Sequence, residues 1–281
     1  MAAITFNEKL KPTAPRKVTQ QVIVAPPAKG ALLVEAPQAA SIREFLFEMK
    51  KDGHTFWIGA AVPDGTSDFS KVQVFFHPTV VQHDHKKVIV HAAEKDYEAF
   101  GGGWSGSLQR YVAMQGGQLG GLRKTTLIVP FMTMAAFRGS AHSYMFATSA
   151  RDTLNAIMTA VRNAVVPGGG DPVHVARVGV SSFSSGIGAM RLFIAHFGAG
   201  LIAETVDFDS PQIIGEPKTI TRAPGAPGRV YTQVAPPHPQ AGWFYFPKES
   251  FINIRTHRDA GPHGQIGWMM FYIATILSVI A

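Results

Sequence analysis

Four serines lie close together in one short segment of the chain, where a serine could act as a nucleophile. The segment VARVGVSSFSSGIGAMRLFIAHF, residues 175–197, has the pattern of a buried strand, a tight Ser/Gly turn and an amphipathic helix. In such a turn a serine adopts a strained backbone conformation with its hydroxyl exposed, and little room remains for side chains two residues to either side. The segment therefore predicts acyl transfer through a serine of the turn.

The steric requirement for small neighbours selects one serine among the four. Two residues to either side of Ser184 lie Ser182 and Gly186, which are both small. Ser181 and Ser185 would each have a phenylalanine at one of these positions, and Ser182 would have a β-branched valine. Ser184 is therefore the predicted nucleophile, within the motif S-F-S-S-G.

This strand–turn–helix segment resembles the nucleophile elbow of the α/β-hydrolase family. The resemblance covers roughly residues 55–281, and the motif departs from G-x-S-x-G at its first position, where Ser182 replaces glycine. It implies an α/β fold with a mostly parallel central sheet flanked by helices. It also implies a catalytic triad in the chain order serine, acid, histidine.

The acid of the triad is expected after the next strand. The segment LIAETVDFDSPQ has the pattern of a strand that ends at Asp209, which places this carboxylate at the same edge of a parallel sheet as the serine turn. It is similar to lipases that carry their acid after the strand following the nucleophile helix. Asp209 is the predicted acid, and Asp207 is the nearest alternative. More distant alternatives are Glu204, Glu216 and Asp259.

A histidine is needed as the base, because a serine hydroxyl is a poor nucleophile at neutral pH. The resemblance implies a histidine in the loop between the last strand and the last helix. His263 lies in such a loop, Gly-Pro-His-Gly at residues 261–264, just before a helical pattern. We therefore predict His263 as the base, with His257 and His238 as alternatives.

Backbone N–H groups are needed to stabilise the oxyanion of the tetrahedral intermediate. The resemblance implies that Ser185 supplies one donor and that the loop after the strand VQVFF supplies the other. This loop begins Phe76-His77-Pro78-Thr79 and is similar to the family's His-Gly motif, with proline in place of glycine. Because Pro78 has no N–H, we expect His77 or Thr79 to donate.

Short β-rich runs alternate with helical runs after residue 30, which is typical of a mostly parallel sheet covered by helices. The predicted strands are Ala31–Glu35, Thr55–Val62, Lys71–Phe76, Thr125–Val129, His174–Val180, Ile202–Phe208 and Arg229–Ala235. Helical spacing of apolar residues predicts helices within 154–165, 187–197 and 266–277, the first capped by Thr148 or Ser149. We predict an N-terminal arm over residues 1–30 and a single catalytic domain over residues 31–281.

Composition excludes several other kinds of site. The chain has no cysteine, so thiolate catalysis, disulfides and cysteine-bound zinc are ruled out. Its net charge of +7 comes from scattered basic residues, so we expect no binding to nucleic acid. The densest basic cluster, His83–Lys87, lies near His91 and offers potential metal ligands, but an H-x-H pattern alone is a weak signal for a metal site. We therefore predict no metal and no cofactor.

Two hydrophobicity patterns bear on location. The first residues lack the apolar core of a signal peptide, so we expect a cytoplasmic protein, with a secreted mature form left open. The apolar run Ile266–Ala281 is too short for a comfortable membrane span, so we expect no integral membrane segment.

Together these patterns predict a serine hydrolase that cleaves a small-molecule or lipid-like carboxylic ester. The segment Phe131–Phe146 is rich in Met and Phe and has neither the strand nor the helix periodicity of apolar residues. It is either a buried connection or an apolar wall over the substrate pocket. An apolar acyl or aromatic substrate group follows from the second interpretation. A thioesterase or amidase would use the same triad, and the non-catalytic alternative is an inactive ligand-binding protein of the same fold. The sequence makes no prediction of oligomeric state.

Overall fold

A ten-stranded sheet dominates the part of the chain that the structure, a computed structural model, describes. The described residues are 4–8, 16–18, 40–78, 80–84, 87–91, 111–112, 116, 123–131, 145–198, 200–211, 220–236, 238, 241–246, 263 and 266–267. The strands are β1 (Thr5–Glu8), β2 (Arg16–Val18), β3 (Ala40–Lys51), β4 (His54–Pro63), β5 (Lys71–Phe76), β6 (Val80–Asp84), β7 (Lys87–His91), β8 (Thr126–Pro130), β9 (Arg177–Phe183), β10 (Ile202–Phe208), β11 (Gly228–Thr232) and β12 (Trp243–Tyr245). Strands β6 and β7 form a separate antiparallel hairpin.

The sheet is mixed, which corrects the prediction of a mostly parallel sheet. Its order is β1-β3-β4-β8-β5-β9-β10-β11-β12, with β2 also paired to β3. The pairs from β8 to β12 are parallel, whereas β1 and β2 pair antiparallel with β3, β3 with β4, and β4 with β8. The parallel half matches the strand–helix alternation of the sequence. The antiparallel half arises because β3 and β4 form a hairpin through a tight turn, which needs no crossover helix.

Two helices follow the predicted periods. Helix α1 spans Ala150–Val165 and helix α2 spans Ile187–Phe197, and a 3-10 turn at Ser184–Gly186 joins β9 directly to α2. Ser149, one of the two predicted cap residues, is the N-cap of α1, although its side chain makes no capping hydrogen bond. Nζ of Lys51 donates to the carbonyl oxygens of Met145 (2.8 Å) and Thr148 (2.5 Å) in the segment before the helix.

Both helices bury their apolar sides in one core with the sheet. Leu154, Ile157, Met158 and Val161 of α1 are fully buried, as their helical spacing predicts. The core continues through α2 and the side chains of β5 and β9 on the facing side of the sheet. Burial of each large aliphatic side chain contributes about 1.5–3 kcal/mol, so this core fixes the strand ends that α1 and α2 connect.

The remaining sequence predictions have mixed outcomes. Strands β5 and β10 have the predicted bounds, whereas β9 begins and ends three residues later than predicted and β11 ends at Thr232. Strands β1 and β2 lie within the predicted arm, and β3 was not predicted. The predicted strand Ala31–Glu35 lies outside the described residues, as do most of Phe131–Phe146 and of the final helical pattern. No described helix combines the length and apolarity needed to cross a membrane.

Candidate active site

Ser184 occupies the turn between the central strand β9 and helix α2, and its backbone is strained. Its φ angle is 56°, in the left-handed region that residues other than glycine rarely adopt. Holding a non-glycine residue there costs of order 1–3 kcal/mol, and such residues concentrate at functional sites. Only 5% of Ser184 is exposed. The strained geometry is the one expected of a serine on a strand-to-helix elbow.

Gly186 shows why the turn requires a small residue two positions after Ser184. A Cβ atom at this position would lie 2.8 Å from the carbonyl oxygen of His77, and closer still to that of Phe76. The backbone after β5 therefore packs directly on the turn. Ser182, on the other side, is fully buried. Larger residues at 182 or 186 would push the serine turn away from the neighbouring strand end.

Asp209 follows β10, the parallel neighbour of β9, and is fully buried. Its φ angle is also 56°, so its side chain does not continue the pattern in which successive side chains of a strand point to opposite faces of the sheet. The Oδ2 atom accepts a hydrogen bond from Nδ1 of His263 at 2.7 Å. The structure thus brings together the predicted acid and the predicted base, although they are far apart in the sequence.

Asp207 has different partners from Asp209. Its carboxylate accepts hydrogen bonds from the backbone N–H (3.2 Å) and the hydroxyl of Ser210, and it is 2% exposed. Burial raises the pKa of Asp207 to about 7, with a further increase from the charge of Asp209 and opposing effects from Ser210 and Arg191. Asp207 occupies a position in β10 in register with Ser182 of β9. The histidine is therefore bound by Asp209, and Asp207 takes part in a separate local contact.

His263 lies beside the residue that precedes the serine. Its ring centre is 4.8 Å from that of Phe183, the last residue of β9. Gly267, one helical turn further along, packs so closely on Phe183 that a Cβ atom would lie 2.5 Å from its ring. About a third of the His263 side chain (32%) is exposed. Residue 267 must therefore be small for the histidine to approach the end of β9.

The predicted oxyanion residues lie on both sides of the turn. Ser185 follows Ser184 in the 3-10 turn, and His77 follows β5, whose backbone contacts Gly186. His77 is 2% exposed, and burial lowers its pKa to about 4. Its neutral ring donates from Nδ1 to the carbonyl oxygen of Pro78 at 2.7 Å, so a donor to an oxyanion would have to be its backbone N–H. Thr79 lies outside the described residues.

Two residues that the sequence analysis missed hold the acid in place. The hydroxyl of Thr232 donates to Oδ1 of Asp209 at 2.5 Å. Gln233 donates twice, from its backbone N–H to Oδ1 at 2.9 Å and from Nε2 to Oδ2 at 2.7 Å. Both residues lie at the end of β11, the parallel neighbour of β10. Polar residues at the carboxyl end of a buried parallel strand were the available signal.

The candidate site residues thus share one edge of the sheet. His77, Ser184, Asp209 and Gln233 follow the carboxyl ends of four adjacent parallel strands, β5, β9, β10 and β11. This is the edge at which open α/β sheets bind their ligands. Of the predicted alternatives, His238 is exposed and His257 lies outside the described residues. No group of residues in the described part of the chain could hold a metal ion.

Comparisons with known proteins give structural similarity but no match in sequence families. No protein-family model and no curated protein sequence matches the chain. Among solved structures, similar chains include the rice cell wall degrading esterase LipA from Xanthomonas oryzae (TM-score 0.36, 13% identity, 62% of this chain and 43% of that chain covered). A cold-adapted esterase from an Arctic intertidal metagenomic library is also similar (TM-score 0.30, 13% identity, 59% of this chain and 58% of that chain covered). So is a thermostable esterase from Pseudomonas putida (TM-score 0.31, 13% identity, 60% of this chain and 44% of that chain covered). The chain spans about half the length of these esterases.

Proposed function

We propose that this protein is a serine hydrolase of the α/β-hydrolase fold that cleaves a carboxylic ester. Ser184 is the nucleophile, His263 the base and Asp209 the acid. The observation that carries the proposal is the hydrogen bond between Asp209 and His263, at the sheet edge where Ser184 occupies a strained strand-to-helix turn. The chain order serine, acid, histidine agrees with this assignment.

The reaction begins when Oγ of Ser184 attacks the ester carbonyl carbon. Nε2 of His263 accepts the serine proton, and the resulting imidazolium keeps its Nδ1–H on Asp209, which stabilises the positive charge and fixes the ring orientation. The tetrahedral intermediate collapses as His263 returns the proton to the leaving alcohol. Water, deprotonated by the same histidine, then attacks the acyl-enzyme and releases the carboxylic acid.

The negative oxygen of the intermediate needs donors on the side opposite the histidine. The backbone N–H of Ser185 is the first donor that we propose, because it directly follows the nucleophile at the start of the turn. The second comes from the backbone of His77 or Thr79, in the loop whose first residues pack on Gly186. Each such donor lowers the barrier by about 2.7–4 kcal/mol in comparable enzymes.

The substrate class that we propose is an ester with an apolar acyl or aromatic group. Aromatic side chains lie on both sides of the candidate site. Phe183 contacts His263, and the ring of Phe131 lies edge-on to His77, with ring centres 6.1 Å apart. Apolar and aromatic walls with few polar groups are typical of small-molecule sites. A series of p-nitrophenyl esters from acetate to palmitate measures the preferred acyl length.

Labelling with a fluorophosphonate probe tests the nucleophile, because the probe reacts only with an activated serine. We expect the wild-type protein to be labelled and to hydrolyse p-nitrophenyl esters, and Ser184→Ala to lose both properties while remaining folded. Ser182→Ala is the matched control. It removes a buried hydroxyl that has no hydrogen-bond partner among the described residues, and it should keep both properties.

Two outcomes contradict the proposal. Labelling that persists in Ser184→Ala and disappears in Ser182→Ala would move the nucleophile to the other serine. A folded wild-type protein that binds apolar esters but is neither labelled nor active would instead identify an inactive ligand-binding protein with the same fold.

A further inference from the structure

We propose that Gln233 is a positioning residue that holds Asp209 in the orientation needed by His263. The inference rests on the proposed function, because Asp209 acts on the reaction only through the histidine. Among the described residues, Gln233 forms no hydrogen bond with Ser184 or His263, but it makes two of the four hydrogen bonds to the Asp209 carboxylate.

The four donors fill both oxygens of the carboxylate. Oδ1 accepts from the hydroxyl of Thr232 and from the backbone N–H of Gln233, at 2.5 and 2.9 Å. Oδ2 accepts from Nε2 of Gln233 and from Nδ1 of His263, both at 2.7 Å. An ionised carboxylate has about four acceptor sites, so each is occupied. Gln233 is the residue that bridges the two oxygens, and a bridge prevents the carboxylate from turning about its Cβ–Cγ bond.

Neutral donors have to compensate the burial of this charge. Asp209 is fully buried, and within the described residues no lysine or arginine forms an ion pair with it. A buried carboxylate without hydrogen bonds is strongly unfavourable, because it loses its hydration without replacement. Because the carboxylate only accepts, the side-chain amide of Gln233 must face it with nitrogen, which fixes the orientation of the amide.

The end of β11 is itself held in place, so these donors are preorganised. The backbone N–H of Val234 donates to Oγ1 of Thr232 at 3.0 Å, which leaves the hydroxyl proton of Thr232 for Asp209. Nε1 of Trp243, in β12, donates to the carbonyl oxygen of Val234 at 3.2 Å. The chain around Gln233 is therefore fixed from the edge strand of the sheet, before any substrate binds.

Loss of the Gln233 amide should weaken the positioning of the histidine. The carboxylate becomes free to rotate, so Nδ1 of His263 is less often held in the productive orientation. Because Gln233 acts on the histidine and not on substrate binding, the loss should appear in kcat and leave KM little changed.

Gln233→Met tests the inference because methionine has nearly the same size and no amide. We expect kcat to fall about 10- to 100-fold, the range for losing one hydrogen bond to a charged group, with KM little changed. Gln73→Met is the matched control. Gln73 is a buried glutamine of the same sheet whose Nε2 donates to Oγ of Ser181 at 2.9 Å and not to Asp209, and its loss should leave kcat little changed. Gln233→Ala serves as a second variant if methionine is not tolerated.

A double-mutant cycle separates positioning from general support of the fold. On an Asp209→Asn background, Gln233→Met should cause little further loss of kcat, because the residue through which it acts has already been changed. Equal fold losses of kcat on both backgrounds, or a loss that appears in KM and not in kcat, overturn the positioning role. An inactive wild-type protein, or a fully active Asp209→Asn variant, overturns the proposed function as well. Activity that needs Asp209 but not Gln233 overturns only this inference.

Discussion

Two buried aspartates at the end of β10 have similar burial and different chemistry. Asp209 turns out of the strand with a left-handed backbone and receives four hydrogen bonds, one of them from His263. Asp207 stays within the strand and accepts hydrogen bonds from the backbone N–H and the hydroxyl of Ser210. Burial alone therefore does not distinguish an acid that serves a histidine. The number of donors and the direction of the side chain do.

The same contrast explains the electrostatics of the two positions. Burial raises the pKa of Asp207 to about 7, because too few donors compensate the charged form. Asp207 and Asp209 also repel each other when both are charged, which adds to the increase at Asp207. The carboxylate that binds the histidine therefore has four donors, whereas the buried Asp207 carboxyl, with Ser210 as its partner, has a raised pKa.

The largest expected effect in this comparison comes from His263, which has Asp209 and not Asp207 as its carboxylate partner. We expect His263→Ala to lower kcat by about a million-fold, as removal of the base does in serine hydrolases with this triad. Ester hydrolysis by the purified variant measures this loss. His238→Ala, which changes an exposed histidine, is the control and should retain wild-type rates. A fully active His263→Ala variant would make the contact with Asp209 irrelevant to function and would point to His257.

Asp209→Asn should have the next largest effect. Asparagine cannot hold the histidine in the required tautomer, and loss of the corresponding aspartate costs about 10,000-fold in kcat in related mechanisms. Asp207→Asn should change kcat by no more than a few-fold, because its contacts are with Ser210. Parallel rate measurements on both variants decide between the two carboxylates. Similar, mild losses for both would place the acid elsewhere, with Asp259 as the next candidate.

The parallel half of the sheet was predictable because its strands are buried on both faces. Lys71–Phe76 contains the largely β-branched and aromatic run VQVFF, Ile202–Phe208 is apolar at four of its seven positions, and the bounds of both agree with the structure. The small residues that flank Ser184 lie within five consecutive residues, so the turn could be found from the local sequence. The backbone that requires a small residue at position 186 belongs to the distant end of β5, and only the structure identifies it.

Features that depend on distant parts of the chain were not predictable in this way. Strand β3 contains charged residues such as Arg43, Glu48 and Lys50 among its apolar ones, and its long hairpin with β4 decides its conformation. Thr232 and Gln233 become partners of Asp209 only because β10 and β11 pair in a particular register. The choice of Asp209 over Asp207 likewise depends on a left-handed residue that the sequence does not reveal.

The smallest effect on catalysis, and the clearest effect on stability, is expected from Asp207→Asn. Asparagine resembles the protonated carboxyl in shape and cannot become charged. In the unfolded chain an aspartate titrates near pH 4, whereas burial raises the pKa of Asp207 to about 7 in the folded protein. Between these two values the folded protein holds a proton that the unfolded chain has released. The free energy of unfolding of the wild type should therefore decrease as pH rises through this window.

The variant lacks this contribution, so the difference in unfolding free energy, variant minus wild type, should increase from about pH 4 to about pH 7 and then level off. Each pKa unit corresponds to about 1.4 kcal/mol, and the total is of the order of a few kcal/mol. Urea unfolding at several pH values measures the difference. Asp68→Asn is the control, because hydrogen bonds from Ser70 lower the pKa of Asp68 at the surface and its variant should show no such increase. If the Asp207 difference is flat or decreases across this window, the carboxylate is charged in the folded protein, and the contrast with Asp209 fails.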